Sequence, residues 1–351
     1  MSVKKISTGK LYGNFSHGNH YYDFFEDKEL IIKQNVVKDD LSKAGININK
    51  IKNFTCMNVG TGRESLALSQ LGAKEVFHYD ISKEHVDRFK KLLSKKFKKL
   101  KIVSKNADLC KYKLPKNKFD FVYLNGIVHH FANVQDGLLN CSNSVKDGGF
   151  IWVYFYRSGT FKWFVCQMIR ELIDVYSYNE FFLNLSNIYG DGDTSNLLVS
   201  RIMDDFYAPY IHLYNLNNYK NFMESIGFKA YKYVNSKSNK NVDHKNLHHS
   251  AIIVFKKIKN MQKINKLYNL KPETSINQLD KKLYKSRKIH KIIDLFNKIK
   301  RKKNKKICYN IFSCIIGMHK LSAYQYYGGE ELPPRYDELY TILKNTYKNL
   351  D

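Results

Sequence analysis

Met57-Asn58-Val59 runs directly into Gly60-Thr61-Gly62 and then into Arg63-Glu64-Ser65, the head of an amphipathic helix. An apolar strand that ends in two closely spaced glycines and restarts as a helix is a turn built to hold a nucleotide-like cofactor. Gly60 can adopt backbone conformations closed to other residues, and Gly62 lets the main chain approach a ligand with no Cβ in the way. The helix from Arg63 then directs free N–H groups at the bound molecule. Twenty residues past Gly60, Phe77-His78-Tyr79-Asp80 closes a second apolar run with a carboxylate, the position at which such folds take the two ribose hydroxyls.

The glycine turn alone is shared with NAD enzymes, so the rest of the first half has to discriminate. A third strand is predicted over 100–104, closed by Asn106-Ala107-Asp108, and a fourth over 119–125, followed by Gly126-Ile127-Val128-His129-His130-Phe131. A helix with Val134, Leu138, Cys141 and Val145 on one face should stop at Lys146-Asp147-Gly148-Gly149, ahead of a fifth strand over 150–156. A helix over 216–226 and strands over 228–234 and 251–255 complete the pattern. The expected fold is α/β: a doubly wound, mostly parallel, seven-stranded Rossmann-like sheet with an antiparallel last strand, plus a helical insertion and a helical C-terminal extension.

Residues 50–257 together resemble the class I S-adenosylmethionine-dependent methyltransferases, most specifically in the glycine turn, Asp80, the Gly-Ile-Val-His-His segment and the Lys-Asp-Gly-Gly turn. The resemblance implies that Gly60 and Gly62 line the methionine part of the cofactor, Asp80 holds its ribose, Asp108 contacts adenine, and Asn125 and Ile127 flank the sulfonium. Two positions depart from the family turn. The acid usual two residues before the first glycine is Asn58, which keeps hydrogen-bonding capacity without the charge that attracts the cofactor's ammonium, and the third glycine is Glu64. Glu64 either restores that charge or is an exposed first-turn acid favoured by the helix dipole.

The chain of 351 residues is long enough for one large core and an additional subdomain. Residues 1–49 form an aromatic-rich lead-in, 50–257 the cofactor domain with a substrate-side insertion over 157–215, and 258–351 a basic helical extension. The lead-in, with Tyr12-Gly13-Asn14-Phe15 and His20 to Phe25, either covers the cofactor or substrate or packs on the domain. No cleavable signal opens the chain, and 161–173 is too short and too polar to span a membrane. Cys56, Cys110, Cys141, Cys166, Cys308 and Cys314 form no C-x-x-C pair and read as reduced core residues of a cytoplasmic protein.

Of the formal charge of +27, more than half arises between Lys256 and Lys306, where 19 Lys and Arg face three acids. Within that stretch Ile289, Ile292, Ile293, Phe296 and Ile299 recur at helical spacing. Such a helix lies on an anionic membrane, makes weak nonspecific contact with a polyanion, or packs its apolar face on the catalytic domain with its lysines in water.

Acceptor chemistry belongs at the carboxyl ends of the strands. His129 and His130 follow strand four, and His212 closes Asp204-Asp205-Phe206-Tyr207-Ala208-Pro209-Tyr210-Ile211-His212, which resembles a segment of methyltransferases from small-molecule and surface-glycan biosynthesis. The candidate acid–base residues are His130 and His212. Tyr207, Tyr210 and Tyr214, with Phe161, Trp163 and Phe164, form either an aromatic lid over the acceptor or the small core of the inserted helices. His244, His248 and His249 beside Asp243 lie in a polar loop, and no metal is expected. The leading expectation is a methyltransferase acting on an O or N atom of a small molecule, including a surface-glycan sugar. Its rivals are a nucleic-acid methyltransferase that uses the basic extension, a noncatalytic binding protein that kept the fold, and an NAD oxidoreductase.

Overall fold

The computed structural model describes residues 7–15, 25–189, 199, 202–234, 250–258, 267–274, 287–302, 304–311, 313 and 336–349. The aromatics at 20–24, the histidines at 244, 248 and 249, Cys314 and the turn at 327–334 lie outside the described residues.

Seven strands form one sheet: β1 (Thr55–Val59), β2 (Glu75–Asp80), β3 (Ile102–Asn106), β4 (Phe119–Leu124), β5 (Val145–Tyr156), β6 (Phe228–Tyr233) and β7 (Ser250–Lys257). Their order is β3-β2-β1-β4-β5-β7-β6, and β7 runs antiparallel to both its neighbours while the other pairings are parallel. Chain order reverses between β1 and β4, which opens a crevice at their carboxyl ends. Alternation across β4 shows why the sheet is covered twice. Phe121 and Tyr123 enter one core with helices α2 (Asp27–Lys43) and α3 (Arg63–Gln70), whereas Val122 and Leu124 enter the other with α5 (Val134–Ser144) and Leu216–Ser225. Helix α4 (Lys83–Lys96) follows β2, capped by Ser82, whose Oγ accepts from the His85 amide at 3.3 Å.

Two local expectations need correction. The third strand spans Ile102–Asn106 rather than 100–104, because its ladder with β2 pairs Val76 with Ile102 and Asp80 with Asn106. Pairing register, and not the apolar run that includes Leu100, sets its ends. The Lys146-Asp147-Gly148-Gly149 segment is not a helix C-cap. Helix α5 stops at Ser144, and these residues form an irregular stretch inside β5, where the register against β4 shifts between Phe119 and Phe121.

Over the carboxyl ends lies a helical cap. Helix α6 (Phe161–Leu172), helix α7 (Tyr178–Tyr189), the helical residues 202–207 and the two C-terminal helices Arg287–Arg301 and Tyr336–Lys348 share one apolar core, joined by Leu11 of α1 (Thr8–Phe15). In the order of the chain, Leu216–Ser225, Arg287–Arg301 and Tyr336–Lys348 are α8, α9 and α10.

The basic helix α9 buries Ile289, Ile292, Phe296 and Ile299 in that core beside Leu339 and Leu343 of α10. Burying four such side chains contributes on the order of 1.5–3 kcal/mol each, against about 0–1 kcal/mol for each exposed ion pair, so the apolar face fixes the helix. Lys298 pairs with Asp294 at 2.8 Å, Lys300 with Glu171 of α6, and Lys305 with Glu180 of α7. Among the described residues, no helix is long and apolar enough to cross a membrane.

Candidate active site

The glycine turn is held from beneath by a residue the sequence reading passed over. His78, fully buried in β2, bonds the Gly60 carbonyl through Nε2 at 2.6 Å and the Ser104 hydroxyl through Nδ1 at 2.8 Å. A carbonyl can only accept, so Nε2 carries the proton and Nδ1 accepts from Ser104. Burial lowers the His78 pKa, which keeps this neutral tautomer in place. The amide of Gly60 donates to the Tyr79 carbonyl at 3.1 Å, so both backbone polar groups of this residue are anchored.

Both glycines have positive φ, 125° at Gly60 and 97° at Gly62, but their surroundings differ. A Cβ on Gly62 would lie 2.7 Å from the Phe89 ring of α4. Its side-chain absence is therefore demanded by helix packing. A Cβ on Gly60 would reach only Ile127, at 3.4 Å, so this glycine and the Ile127 side chain together shape the crevice.

Asn58 is not available to a ligand. It is wholly buried, its amide donates to the Val59 and Tyr123 carbonyls at 3.3 and 3.2 Å, and its Oδ1 accepts from Ser65 at 2.8 Å. The residue expected to meet an ammonium group thus clips β1 to β4 and to α3. Glu64 is neither exposed nor isolated: it is buried and paired with Lys33 of α2 at 3.0 Å. Burial opposes its charge, yet Lys33 and Arg63 outweigh that and hold its pKa at about 2.

At the end of β2, Asp80 Oδ1 accepts from the Ser82 amide at 2.6 Å, while His85 Nδ1 stays 3.7 Å from Oδ2. One carboxylate oxygen is thereby left without a hydrogen bond among the described residues, at the edge where vicinal hydroxyls would be taken. Asp108, half-buried after β3, ties its Oδ1 into the following turn by accepting from the Cys110 amide at 3.0 Å. Asn125, beyond β4, accepts from the Trp152 indole at 3.3 Å. Gly60 and Ile127 are neighbours at the carboxyl ends of β1 and β4, Asp80 ends β2, and Asp108 and Asn125 follow β3 and β4.

The acceptor side draws on four segments. His130 ends a single turn of 3-10 helix after β4; its Nδ1–H donates to the Tyr210 carbonyl at 3.0 Å, and its Nε2 faces Asp204 Oδ1 at 3.3 Å. The same Oδ1 accepts from the Tyr12 hydroxyl of α1 at 2.5 Å, and the Tyr12 ring meets the His130 ring edge-on at 5.6 Å. Burial, reinforced by neighbouring Asp205, raises the Asp204 pKa against the opposing pull of His130. Lys162 of α6 pairs with Asp205 at 3.0 Å, and Arg170 spends its guanidinium on the Phe206 and Ala208 carbonyls at 3.0 and 2.6 Å. Burial lowers the Arg170 pKa to about 10, so it remains charged.

His212 stacks on Tyr210 at 5.9 Å, and its Nε2 has no hydrogen-bond partner among the described residues. Burial lowers its pKa and leaves the ring neutral near pH 7. Tyr210 itself is 40% exposed. Two of the expected acceptor tyrosines sit elsewhere. Tyr207 packs on Phe181 within the cap and gives its hydroxyl to the Tyr176 carbonyl at 3.2 Å, while Tyr214 is buried against Tyr219 under the sheet. Trp163 and Phe164 are likewise fully buried in the cap core. Tyr12, His78 and Asp204 were missed as site residues; the signals were a histidine inside an apolar strand and an acid pair opening the aromatic stretch. No group of three potential metal ligands occurs among the described residues.

A family model described as a methyltransferase domain matches residues 56–153, the segment from β1 to β5 that carries the glycine turn, Asp80 and the mouth of β4. Residues 56–153 form a methyltransferase domain. Among solved structures, the protein is similar to the magnesium protoporphyrin IX methyltransferase of Synechocystis with bound S-adenosylmethionine, at 11% identity over 72% of this chain and 98% of that one, TM-score 0.42. It is also similar to an S-adenosylmethionine-dependent methyltransferase from Mesorhizobium loti, at 12% identity over 58% and 91% of the two chains, TM-score 0.39. A third, PKMT2 from Rickettsia typhi, is 14% identical over 70% of this chain and 55% of its own, TM-score 0.47. No curated protein matches the chain in sequence.

Proposed function

We propose that this chain moves a methyl group from S-adenosylmethionine to an O or N atom of a small molecule, a class that includes surface-glycan sugars. The observation that carries the reading is the roofed acceptor side: Tyr12, His130, Asp204 and His212 converge from four segments under the cap, a setting suited to enclosing a small polar molecule. The apolar face of α9, which a membrane would need, is occupied by the cap core, and three lysines in or just beyond that helix are in ion pairs.

On this reading Gly60 and Gly62 frame the methionine end of the donor, Asp80 Oδ2 accepts from a ribose hydroxyl, Asp108 lies toward adenine, and Asn125 and Ile127 flank the sulfonium. S-adenosylmethionine supplies an already activated methyl group, so the chain's task is alignment, exclusion of water and disposal of a proton. For a hydroxyl acceptor, His212, neutral and with one ring nitrogen unspent, is the histidine equipped to accept that proton. His130 holds Asp204 instead. The weak polyanion contact expected of the extension stays a surface property in this reading.

The test is calorimetry with S-adenosylhomocysteine. Asp80→Asn should weaken binding roughly 10- to 100-fold, the worth of a hydrogen bond to a charged group, with unchanged circular dichroism. Equal affinity in the folded variant refutes the donor assignment. Tight, specific RNA binding that persists at physiological salt would instead favour the nucleic-acid rival.

A further inference from the structure

Building on the small-molecule reading, we infer that the acceptor is an amine, held as its ammonium by the open oxygen of Asp204 and methylated on nitrogen. Asp204 Oδ1 accepts from the Tyr12 hydroxyl and lies 3.3 Å from His130 Nε2. Its Oδ2 has no hydrogen-bond partner among the described residues, and the side chain is 28% exposed.

The charges around it define what fits. Facing Asp204 are Tyr12 from α1, His130 from the turn after β4, Tyr156 from β5, Lys162 and Arg170 from α6, and its neighbour Asp205. Lys162 is engaged by Asp205, and Arg170 gives one N–H from each terminal nitrogen to a backbone carbonyl. The Lys162 charge is therefore matched, while a carboxylate oxygen is open; a phosphate or carboxylate on the acceptor would meet repulsion at that oxygen. Aromatic rings complete the surroundings: Tyr12 and Tyr156 each meet the His130 ring edge-on, at 5.6 and 6.2 Å. An ammonium group gains from both features, a charge-assisted hydrogen bond and polarisable rings. A neutral hydroxyl gains less from either.

The same arrangement can release the nucleophile. The ammonium gives one N–H proton to Asp204 Oδ2 and keeps that bond's electron pair on nitrogen. The nitrogen pair then forms the new N–C bond with the methyl group, and the S–C pair stays on sulfur. The product is the methylated ammonium, with its remaining protons unchanged. Burial makes Asp204 a better proton acceptor than an exposed carboxylate. His130 is a positioning residue: with Nδ1–H fixed on the Tyr210 carbonyl, its Nε2 is aimed at Oδ1, leaving Oδ2 for the acceptor.

The experiment uses the full chain saturated with S-adenosylhomocysteine and a panel of matched pairs: glucosamine with glucose, ethanolamine with ethylene glycol, and alkylamines with the corresponding alcohols. Binding is read by calorimetry, and methyl transfer by release of S-adenosylhomocysteine from the S-adenosylmethionine-loaded protein. At least one amine should bind tenfold or more tightly than its hydroxyl partner. Asp204→Asn should abolish that preference while leaving affinity for S-adenosylhomocysteine unchanged, and Asp204→Glu should restore part of it. If Asp204→Asn fails to fold, Tyr12→Phe offers a second route: it leaves the carboxylate in place, so the preference for amines must survive. Failure of every amine to bind, or a preference insensitive to Asp204→Asn, overturns the proposal. Methylation of a hydroxyl partner with its amine inert also overturns it but leaves the methyltransferase reading intact, whereas loss of cofactor binding in the wild type would remove both.

Discussion

The two halves of the crevice are built in opposite ways. On the donor side the polar groups beneath the ligand are consumed by the protein: His78 by Gly60 and Ser104, Asn58 by β4 and Ser65, Glu64 by Lys33. On the acceptor side Asp204 Oδ2 and His212 Nε2 are left without partners among the described residues. The contrast separates a half that must present one fixed backbone shape from a half that must exchange protons and hydrogen bonds with a visiting molecule.

Substitutions that strike the fixed half should therefore cost stability. Gly62→Ala puts a Cβ 2.7 Å from the Phe89 ring at a φ of 97°, whereas Gly72→Ala has the same φ and nothing within 4 Å. Overpacking and backbone strain together should cost the first about 3–5 kcal/mol and strain alone about 1 kcal/mol for the second, read from urea unfolding. Equal losses would mean that Phe89 yields, and the turn would be less rigid than described.

Next in size, Lys33→Met strands a buried carboxylate and should cost about 3 kcal/mol, much of it recovered by adding Glu64→Gln. The pair also predicts an acid limb. Glu64 is held at about 2 in the folded chain against an ordinary 4.5, so its contribution is present above pH 4.5 and is lost as pH falls toward 2. An acid unfolding midpoint unaltered by Glu64→Gln would show that another group governs it.

The smallest effect belongs to His78. Its folded pKa lies below the ordinary 6.5, so its contribution is complete above pH 6.5 and declines as pH falls through that value toward the folded pKa. Urea midpoints at pH 7.5 and 5.5 should differ in the wild type and differ less in His78→Gln. Parallel behaviour of the two proteins would remove His78 as the sensor.

Legibility followed the same division. The donor half was readable because its parts are neighbours: strand, glycine turn, helix and Asp80 fall within about two dozen residues, and each has a local physical signature. What escaped there was side-chain commitment. Nothing in the spacing of Asn58 shows that Tyr123 and Ser65 absorb its amide, nor that Phe89 is what forbids a side chain at Gly62. The acceptor half was less readable because its contacts are long-range. Tyr12 and Asp204 are 192 positions apart, and His130 meets Tyr210 across 80. The same limit misplaced Tyr207 and Tyr214, since an aromatic residue near a site has the same sequence signature whether it lines the cleft or fills the core beside it.

Helix α1 adds a consequence for how the molecule is made. It rests with Gly9 against the Ile81 carbonyl, next to Asp80, inserts Leu11 into the cap core, and ties Tyr12 to Asp204. Every strand of the sheet is available once Lys257 has been synthesised, yet the core that receives Leu11 also contains Leu339 and Leu343. Leu11 therefore lacks part of its seat until Leu339 and Leu343 have been synthesised, and closing so long a loop is entropically slow. A nascent chain can own a finished sheet and still lack a roof.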